Sequence, residues 1–358
     1  MNMTLLVDNL PTWQTDEKAA RCIRVVNETW DVKTFWFSLA DDQPLHFKPG
    51  QFLSFTFNIK GENVSRCYSI ASSPAQPYQF GVTVKRVPGG LVSNWLHDNL
   101  FSGSETRVLP ATGHFNCIDY KADKYLLLSG GSGITPGMSM VRWIQDTGEQ
   151  ADVHFVHSAR SPEDIIFYNE LLEIDAQRSN FQLSVLCEEK SPGRGWSGYR
   201  GRLNAALLEN ICPDYKDRTV MCCGPAPYMN AVRQMLESLQ FPMQNYVEES
   251  FGSPPAASPE IAEPAEHDNV KLATEISFSN SNKTADSTSA ISVLEAAQAS
   301  GVWIQAACRS GICGSCKVLK TSGDVSMDNP MALSDSDRDA GYILACCAYP
   351  ESDLTIEA

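Results

Sequence analysis

No apolar run approaches the roughly 20 residues needed to span a bilayer, so membrane insertion is not expected. Positive charge is in short supply: 28 Lys and Arg face 43 Asp and Glu, for a formal net charge of −15. That balance argues against nucleic acid or an anionic membrane as the main partner. Histidine is scarce as well, and the six present show no ligand spacing, which sets aside a mononuclear histidine site. The opening Met1-Asn2-Met3-Thr4-Leu5-Leu6-Val7-Asp8 has no basic stretch followed by a long apolar one, and a cytoplasmic location is expected. There is no internal repeat. Residues 252–268 alone lose all periodicity; Pro254, Pro255, Pro259 and Pro264 stand there among Ala, Ser and Glu, as in a semi-stiff linker.

The 358 residues exceed one ordinary core, and the period of the apolar pattern divides them. Over residues 18–118, short alternating segments such as Thr34-Phe35-Trp36-Phe37-Ser38-Leu39 and Phe52-Leu53-Ser54-Phe55-Thr56-Phe57 predict an antiparallel β-barrel, interrupted by a helix at 91–100. Over residues 119–251, apolar strands (Tyr125-Leu126-Leu127-Leu128, Val153-His154-Phe155-Val156, Phe181 to Leu186, Thr219 to Cys222) alternate with helical runs at 138–145, 165–172, 203–208 and 228–239. This predicts an α/β domain on a parallel sheet covered on both faces. Residues 269–358 form a small α+β domain with a helix at 293–299.

The twelve cysteines are unevenly placed. Cys22, Cys67, Cys117, Cys187 and Cys212 are scattered singly, as buried small hydrophobes are. Cys308, Cys313, Cys316, Cys346 and Cys347 crowd the C-terminal end. Cys308-x4-Cys313-x2-Cys316, with a fourth thiol about thirty residues on, is the plant-type [2Fe–2S] spacing. Gly311 and Gly314 let backbone N–H groups approach the sulfurs. Structural zinc usually pairs CxxC knuckles instead. Either Cys346 or Cys347 could supply the fourth thiolate.

Two further constellations suggest cofactors. Arg66-Cys67-Tyr68-Ser69 places Arg66 and Tyr68 on one face of a strand. There an aromatic can cover an isoalloxazine, a guanidinium can neutralise phosphate, and the Ser69 hydroxyl can reach the flavin N5 edge. About twenty residues on, Gly89-Gly90-Leu91-Val92-Ser93 opens a helix with Ser93 as its expected cap, an anion site. Gly130-Gly131-Ser132-Gly133-Ile134-Thr135-Pro136 closes a parallel strand and opens another helix, where a pyrophosphate could rest. Cys223-Gly224-Pro225 gives a second glycine opening at the carboxyl edge of the same sheet. Arg160, at a strand end, could meet a 2′-phosphate.

These motifs, in this order, resemble the ferredoxin–NADP reductase superfamily with a C-terminal plant-type ferredoxin domain. Lys124-Tyr125-Leu126-Leu127-Leu128, Thr135-Pro136-Gly137-Met138, Arg218 to Met229 and Ala307 to Gly314 carry the likeness. It is similar to the NADH oxidoreductases that serve hybrid cluster protein, the partner expected first; reductase components of Rieske oxygenases, including betaine-like demethylases, share the order. The resemblance implies FAD (FMN in one subgroup), NADH (with NADPH as the alternative) and a cluster held by Cys308, Cys313, Cys316 and Cys346. Flavin would be bound by Arg66, Tyr68, Ser69, Val84, Lys85, Gly90, Val92 and Ser93. The nucleotide would be bound by Gly131, Gly133, Thr135, Pro136, Cys223, Gly224 and Pro225. Ser69, Cys223, Glu249 and Phe251 would stand at the hydride transfer, with Phe251 shielding one flavin face. Against the resemblance, residues 279–289 read as an insertion. The expected activity is a relay from a reduced nicotinamide through flavin and cluster to a partner protein. A non-catalytic iron–sulfur sensor is the alternative of another class, and two complete nucleotide-binding motif sets speak against it. A self-contained oxygenase would need a further domain, for which no length remains.

Overall fold

The computed structural model describes residues 17–189, 195–251, 273–304, 306, 309, 311, 314–328, 330 and 332–358. The expected linker at 252–268 lies outside the described residues, as do Cys308 and Cys313. The chain separates into two units, Met1–Phe251 and Gly252–Ala358. Among the described residues, no helix is long and apolar enough to cross a membrane.

The first unit begins with β1 (Lys18–Asn27), β2 (Val32–Leu39), β3 (Phe52–Ile59), β4 (Glu62–Ser69), β5 (Phe80–Lys85), α1 (Leu91–Asn99) and β6 (Glu105–Val108). The strands form an antiparallel sheet in the order β4-β3-β6-β1-β2-β5, and a bridge between Ile70 and Val82 brings its two edges together. Alternation puts Phe35, Phe37, Phe55 and Phe80 inside, where Phe37 stacks on Phe80 at 5.6 Å between ring centroids. Burying each such ring contributes roughly 1.5–3 kcal/mol. Helix α1 turns Val92 and Leu96 into the same core.

There follow β7 (Lys124–Gly130), α2 (Ile134–Thr147), β8 (Asp152–Ala159), α3 (Tyr168–Gln177), β9 (Phe181–Cys187), β10 (Tyr199–Arg200), α4 (Ala205–Ile211), β11 (Thr219–Gly224), α5 (Ala226–Ser238) and β12 (Tyr246–Ser250). Every pairing is parallel, in the order β10-β9-β8-β7-β11-β12. The order reverses between β7 and β11, and ligands of open α/β sheets bind in the crevice at such a switch point. The helix expected at 165–172 starts later, at Tyr168, because Phe167 adopts φ 57° and breaks the helical path while Ile165 and Ile166 plug into the core.

Two side chains tie the nucleotide sheet to the barrel. Ser139 Oγ donates to the Ser72 carbonyl at 2.7 Å, and Arg142 Nη1 donates to the Ala71 carbonyl at 2.6 Å. The rest of the Arg142 guanidinium grips Glu170 at 2.7 and 2.6 Å and lies over the Phe167 ring.

The second unit comprises β13 (Ala273–Phe278), β14 (Lys283–Thr288), α6 (Val293–Ala299), β15 (Lys317–Ser322), β16 (Val325–Met327), α7 (Asp335–Asp339), β17 (Tyr342–Leu344), β18 (Ala348–Pro350) and β19 (Leu354–Ile356). A mixed sheet in the order β14-β13-β19-β15-β17 packs against α6, whose N-terminus is closed by a capping box between Ser292 and Glu295. The segment read as an insertion, 279–289, forms the turn and outer strand of a hairpin; β14 pairs with β13 over six residues. Its Lys, Thr, Asp and Ser content reflects an edge strand largely open to water.

Candidate functional site

Strand β4 delivers Arg66, Tyr68 and Ser69 to one rim of the barrel. Opposite Phe55 and Leu53 of β3, Arg66 and Tyr68 fall on a common face, and the Tyr68 ring meets Phe55 edge-on at 6.0 Å. Burial pushes the Tyr68 phenol well above its usual pKa. Arg66 is half-buried and donates to the Ser65 carbonyl. Ser69 Oγ is closed to solvent, with the Glu249 carboxyl beside it.

The second phosphate element departs from expectation. Gly90, not Ser93, is the cap of α1; Ser93 sits in the helix and its Oγ accepts from the Val87 N–H at 3.1 Å. Gly89, at φ 72°, makes the turn, so the first-turn N–H groups of α1 carry no side-chain cap. Val92 is buried in the barrel core, and Val84 is buried with its carbonyl hydrogen-bonded to His97. Lys85 pairs with the buried Asp31 carboxylate at 3.3 Å.

Across the crevice, Gly131 turns at φ 52° and α2 begins at Ile134. A Cβ on Gly133 would lie 2.3 Å from the Cys223 carbonyl oxygen and 2.6 Å from Gly224 Cα. The two glycine openings are therefore in backbone contact, one cradle rather than two turns. Thr135 and Pro136 are buried in the first turn of α2, where Thr135 Oγ1 donates to the Ser132 carbonyl. Pro225 precedes α5 as its cap residue. Cys223 is buried, and burial pushes its thiol well above the ordinary value.

The parallel register that sets Cys223 beside Glu249 carries the Glu249 carboxyl to the barrel rim. Its Oε2 is closed to solvent and unpartnered among the described residues. Burial raises Glu249 to about 8, eased only by the Ser69 hydroxyl. Phe251 follows β12 and is 41% exposed, so it is not a core side chain. An unpartnered buried oxygen, Glu249 Oε2, and a glycine cradle with no room for a Cβ suit bound FAD and nicotinamide nucleotide; the residues fit both.

In the second unit Cys316, Cys346 and Cys347 are buried together, and the Gly311 N–H donates to Cys346 Sγ at 3.4 Å. Hydrogen bonds from Cys316, Cys347 and Gly311 pull the Cys346 thiol well below its ordinary value. Gly311 and Gly314 turn at φ 75° and 71° around it. Such a donor set fits an iron–sulfur cluster.

Residues 20–117 match the oxidoreductase FAD-binding domain family, 127–234 the oxidoreductase NAD-binding domain and 278–351 the 2Fe–2S iron–sulfur cluster binding domain. The glycine betaine monooxygenase reductase subunit of Pseudomonas aeruginosa is 47% identical over 97% of this chain and 96% of its own. The chain belongs to the ferredoxin reductase family. It is an oxidoreductase with FAD, NAD and 2Fe–2S domains. Other family members are the stachydrine N-demethylase reductase subunit of Rhizobium meliloti (37% identical; 96% of this chain, 97% of that) and the NADH oxidoreductase HCR of Escherichia coli (32%; 93% and 95%). The relatives of higher identity are thus oxygenase and demethylase reductase subunits, not the type expected first from sequence. Phthalate dioxygenase reductase shares the fold, with a TM-score of 0.61, 24% identity and coverage of 96% and 98%.

Two participants escaped the reading of this reductase from its residues. Tyr228 lays its ring against Gly130 and Gly224, where added Cβ atoms would fall 3.1 and 2.8 Å away, and its hydroxyl is buried. Its signal was the Pro-Ala-Pro-Tyr opening of α5. Trp30, at the tip of the β1–β2 hairpin, donates from Nε1 to Asp164 at 3.0 Å; contact between residues 134 positions apart leaves no local signal.

Proposed function

We propose that this chain is the reductase component of a Rieske-type oxygenase system acting on a betaine-like, N-methylated substrate, with hybrid cluster protein as the second reading for its partner. The domains are assigned as 18–118 for FAD, 119–251 for the nucleotide, 252–268 as linker and 269–358 for the cluster. When bound, these groups together convert a two-electron hydride donor into a one-electron supply.

The chain's own residues bind and orient. Tyr68 lies against the flavin ring, Arg66 and the open end of α1 hold phosphate, and the Gly131–Gly133 turn with Gly224 admits the pyrophosphate. Val84, Lys85, Gly90, Val92 and Ser93 shape the flavin side; Thr135, Pro136 and Pro225 shape the nucleotide side. Ser69 and Glu249 would offer polar atoms to the reacting edge of a bound flavin, Cys223 would line the nicotinamide site and Phe251 would shield the flavin. Cys308, Cys313, Cys316 and Cys346 hold the cluster.

The observation that carries the relay is the meeting of the Ser69 hydroxyl and the Glu249 carboxyl, sealed from solvent, beside Cys223 at the sheet's switch point. The partner reading draws support from the reductase subunits at 47% and 37% identity. Affinity capture from the protein's own cell lysate, followed by NADH-driven turnover of the captured protein, tests it. A Rieske oxygenase that demethylates a betaine-like compound only when this chain and NADH are present is the expected result. Recovery of hybrid cluster protein, reduced at a comparable rate, would replace the first reading by the second.

A further inference from the structure

Arg160 stands just past the end of β8, the strand beside β7, where an arginine can receive the 2′-phosphate of NADPH. Here its guanidinium is already engaged. Nε donates to Asp164 Oδ2 at 3.1 Å and Nη2 to Asp164 Oδ1 at 3.0 Å, a bidentate pair within one turn of chain. The Asp164 side chain is only 6% exposed, and two more donors hold it: Ser161 Oγ on Oδ2 at 2.7 Å and Trp30 Nε1 on Oδ1 at 3.0 Å. Burial raises and these donors lower its pKa, for a net fall to about 2, so the carboxylate stays charged throughout the working range. Trp30 comes from the barrel, and so the pair is pinned from two domains.

The surroundings are acidic. Asp31 and Glu189 both act on Arg160 electrostatically, and the Glu189 N–H donates to the Arg160 carbonyl at 2.7 Å. Glu163 follows in the same turn, and Glu188 beside it pairs with Arg202. A 2′-phosphate at this strand end would meet a guanidinium two-thirds committed, a fixed carboxylate behind it and further carboxylates around it. A ribose diol carries no charge to repel.

We propose that the Asp164–Arg160 pair, clamped by Trp30, is the coenzyme-specificity determinant of this reductase and makes it select NADH against NADPH. It rests on the reading that a nicotinamide nucleotide lies at the carboxyl edge of the β7–β12 sheet. Arg160 acts here as a filled socket rather than a phosphate ligand. Releasing it is enough to admit the phosphorylated coenzyme, since a guanidinium freed from its carboxylate recovers a fork suited to phosphate.

The test is steady-state ferricyanide reduction by the full-length, cofactor-loaded protein with each coenzyme. The wild type should favour NADH over NADPH by roughly 100-fold in kcat/KM, and Asp164→Asn should shrink that ratio by about 10-fold or more. Adding Arg160→Ala to Asp164→Asn should restore the discrimination. Because Asp164 is buried, the exposed Glu189→Lys provides a second arm, expected to narrow the ratio by about 3- to 10-fold. Inhibition by 2′,5′-ADP should strengthen in step, giving a readout independent of turnover. Comparable use of both coenzymes by the wild type, or an unchanged ratio in folded Asp164→Asn and Glu189→Lys, would overturn the inference alone. Failure of both coenzymes to reduce the flavin would overturn the nucleotide-site reading together with it.

Discussion

A methyl group on Gly133 would have to share space with the Cys223 carbonyl oxygen, at 2.3 Å. Gly133 lies in the turn that follows β7 and Cys223 in the adjacent parallel strand β11, at the point where the sheet reverses its order, so the nucleotide cradle depends on their contact. Gly133→Ala forces the turns apart. It should lower stability by roughly 1–3 kcal/mol and raise the KM for NADH by about 10-fold or more. Dithionite should still bleach the flavin in this variant, since the barrel is untouched; thermal melting and NADH kinetics on one preparation check both halves.

Glu249 gives the protein a pH signature. Its pKa is about 8 in the folded chain, against an ordinary 4.5. The folded state therefore keeps a proton that the unfolded chain gives up. This group's contribution is fully present below pH 4.5 and is lost as pH rises towards about 8. Glu249→Gln should flatten the slope and gain on wild type by roughly 1–3 kcal/mol between pH 5 and 8, less than the ideal linkage value because part of the side chain is wet. Urea denaturation at three pH values decides it; parallel curves for the two proteins would refute the assignment.

Arg218 anchors the far edge of the nucleotide sheet. Its nearly buried guanidinium donates to Asp214 at 2.8 Å, to both oxygens of Asp152 at 3.1 and 3.0 Å, and to the Tyr125 carbonyl. Arg218→Met removes all of these donors and leaves Asp152 and Asp214 without their shared cation. A loss of about 3–5 kcal/mol is expected, with the visible spectrum of the remaining folded fraction unchanged. Denaturant midpoints provide the measurement.

The relay order is open to a cysteine series. Cys313→Ser should abolish cytochrome c reduction while NADH still bleaches the flavin. Cys346→Ala should lose the cluster signal in electron paramagnetic resonance, and Cys347→Ala should keep it. The reverse outcome for the last two would move the fourth ligand to Cys347.

Much of this architecture is legible in the residues because the motifs are local. Period-two phenylalanines announce β2 and β3, the uninterrupted Leu126-Leu127-Leu128 announces a strand buried on both faces, and Cys-x4-Cys-x2-Cys announces cluster chemistry. What stays hidden is long-range or concerns backbone dihedrals. Nothing in Ser93 says that its hydroxyl will turn back to Val87 rather than cap a helix. Nothing in Phe167 predicts a left-handed backbone, which a bulky residue normally avoids and which delays α3. β14 carries no period-two apolar pattern to announce it, because it is an edge strand largely open to water. Trp30 and Asp164 are joined only through the docking of barrel on sheet.

Arg142 reaches the Ala71 carbonyl while Glu170 and the Phe167 ring fix its other sides, and Ser139 bonds to the neighbouring Ser72. Barrel and nucleotide sheet are thus fastened at their shared wall by one face of α2. On the role proposed for Phe251, admission of the coenzyme is then a local event at the end of β12 rather than a swing of one domain on the other.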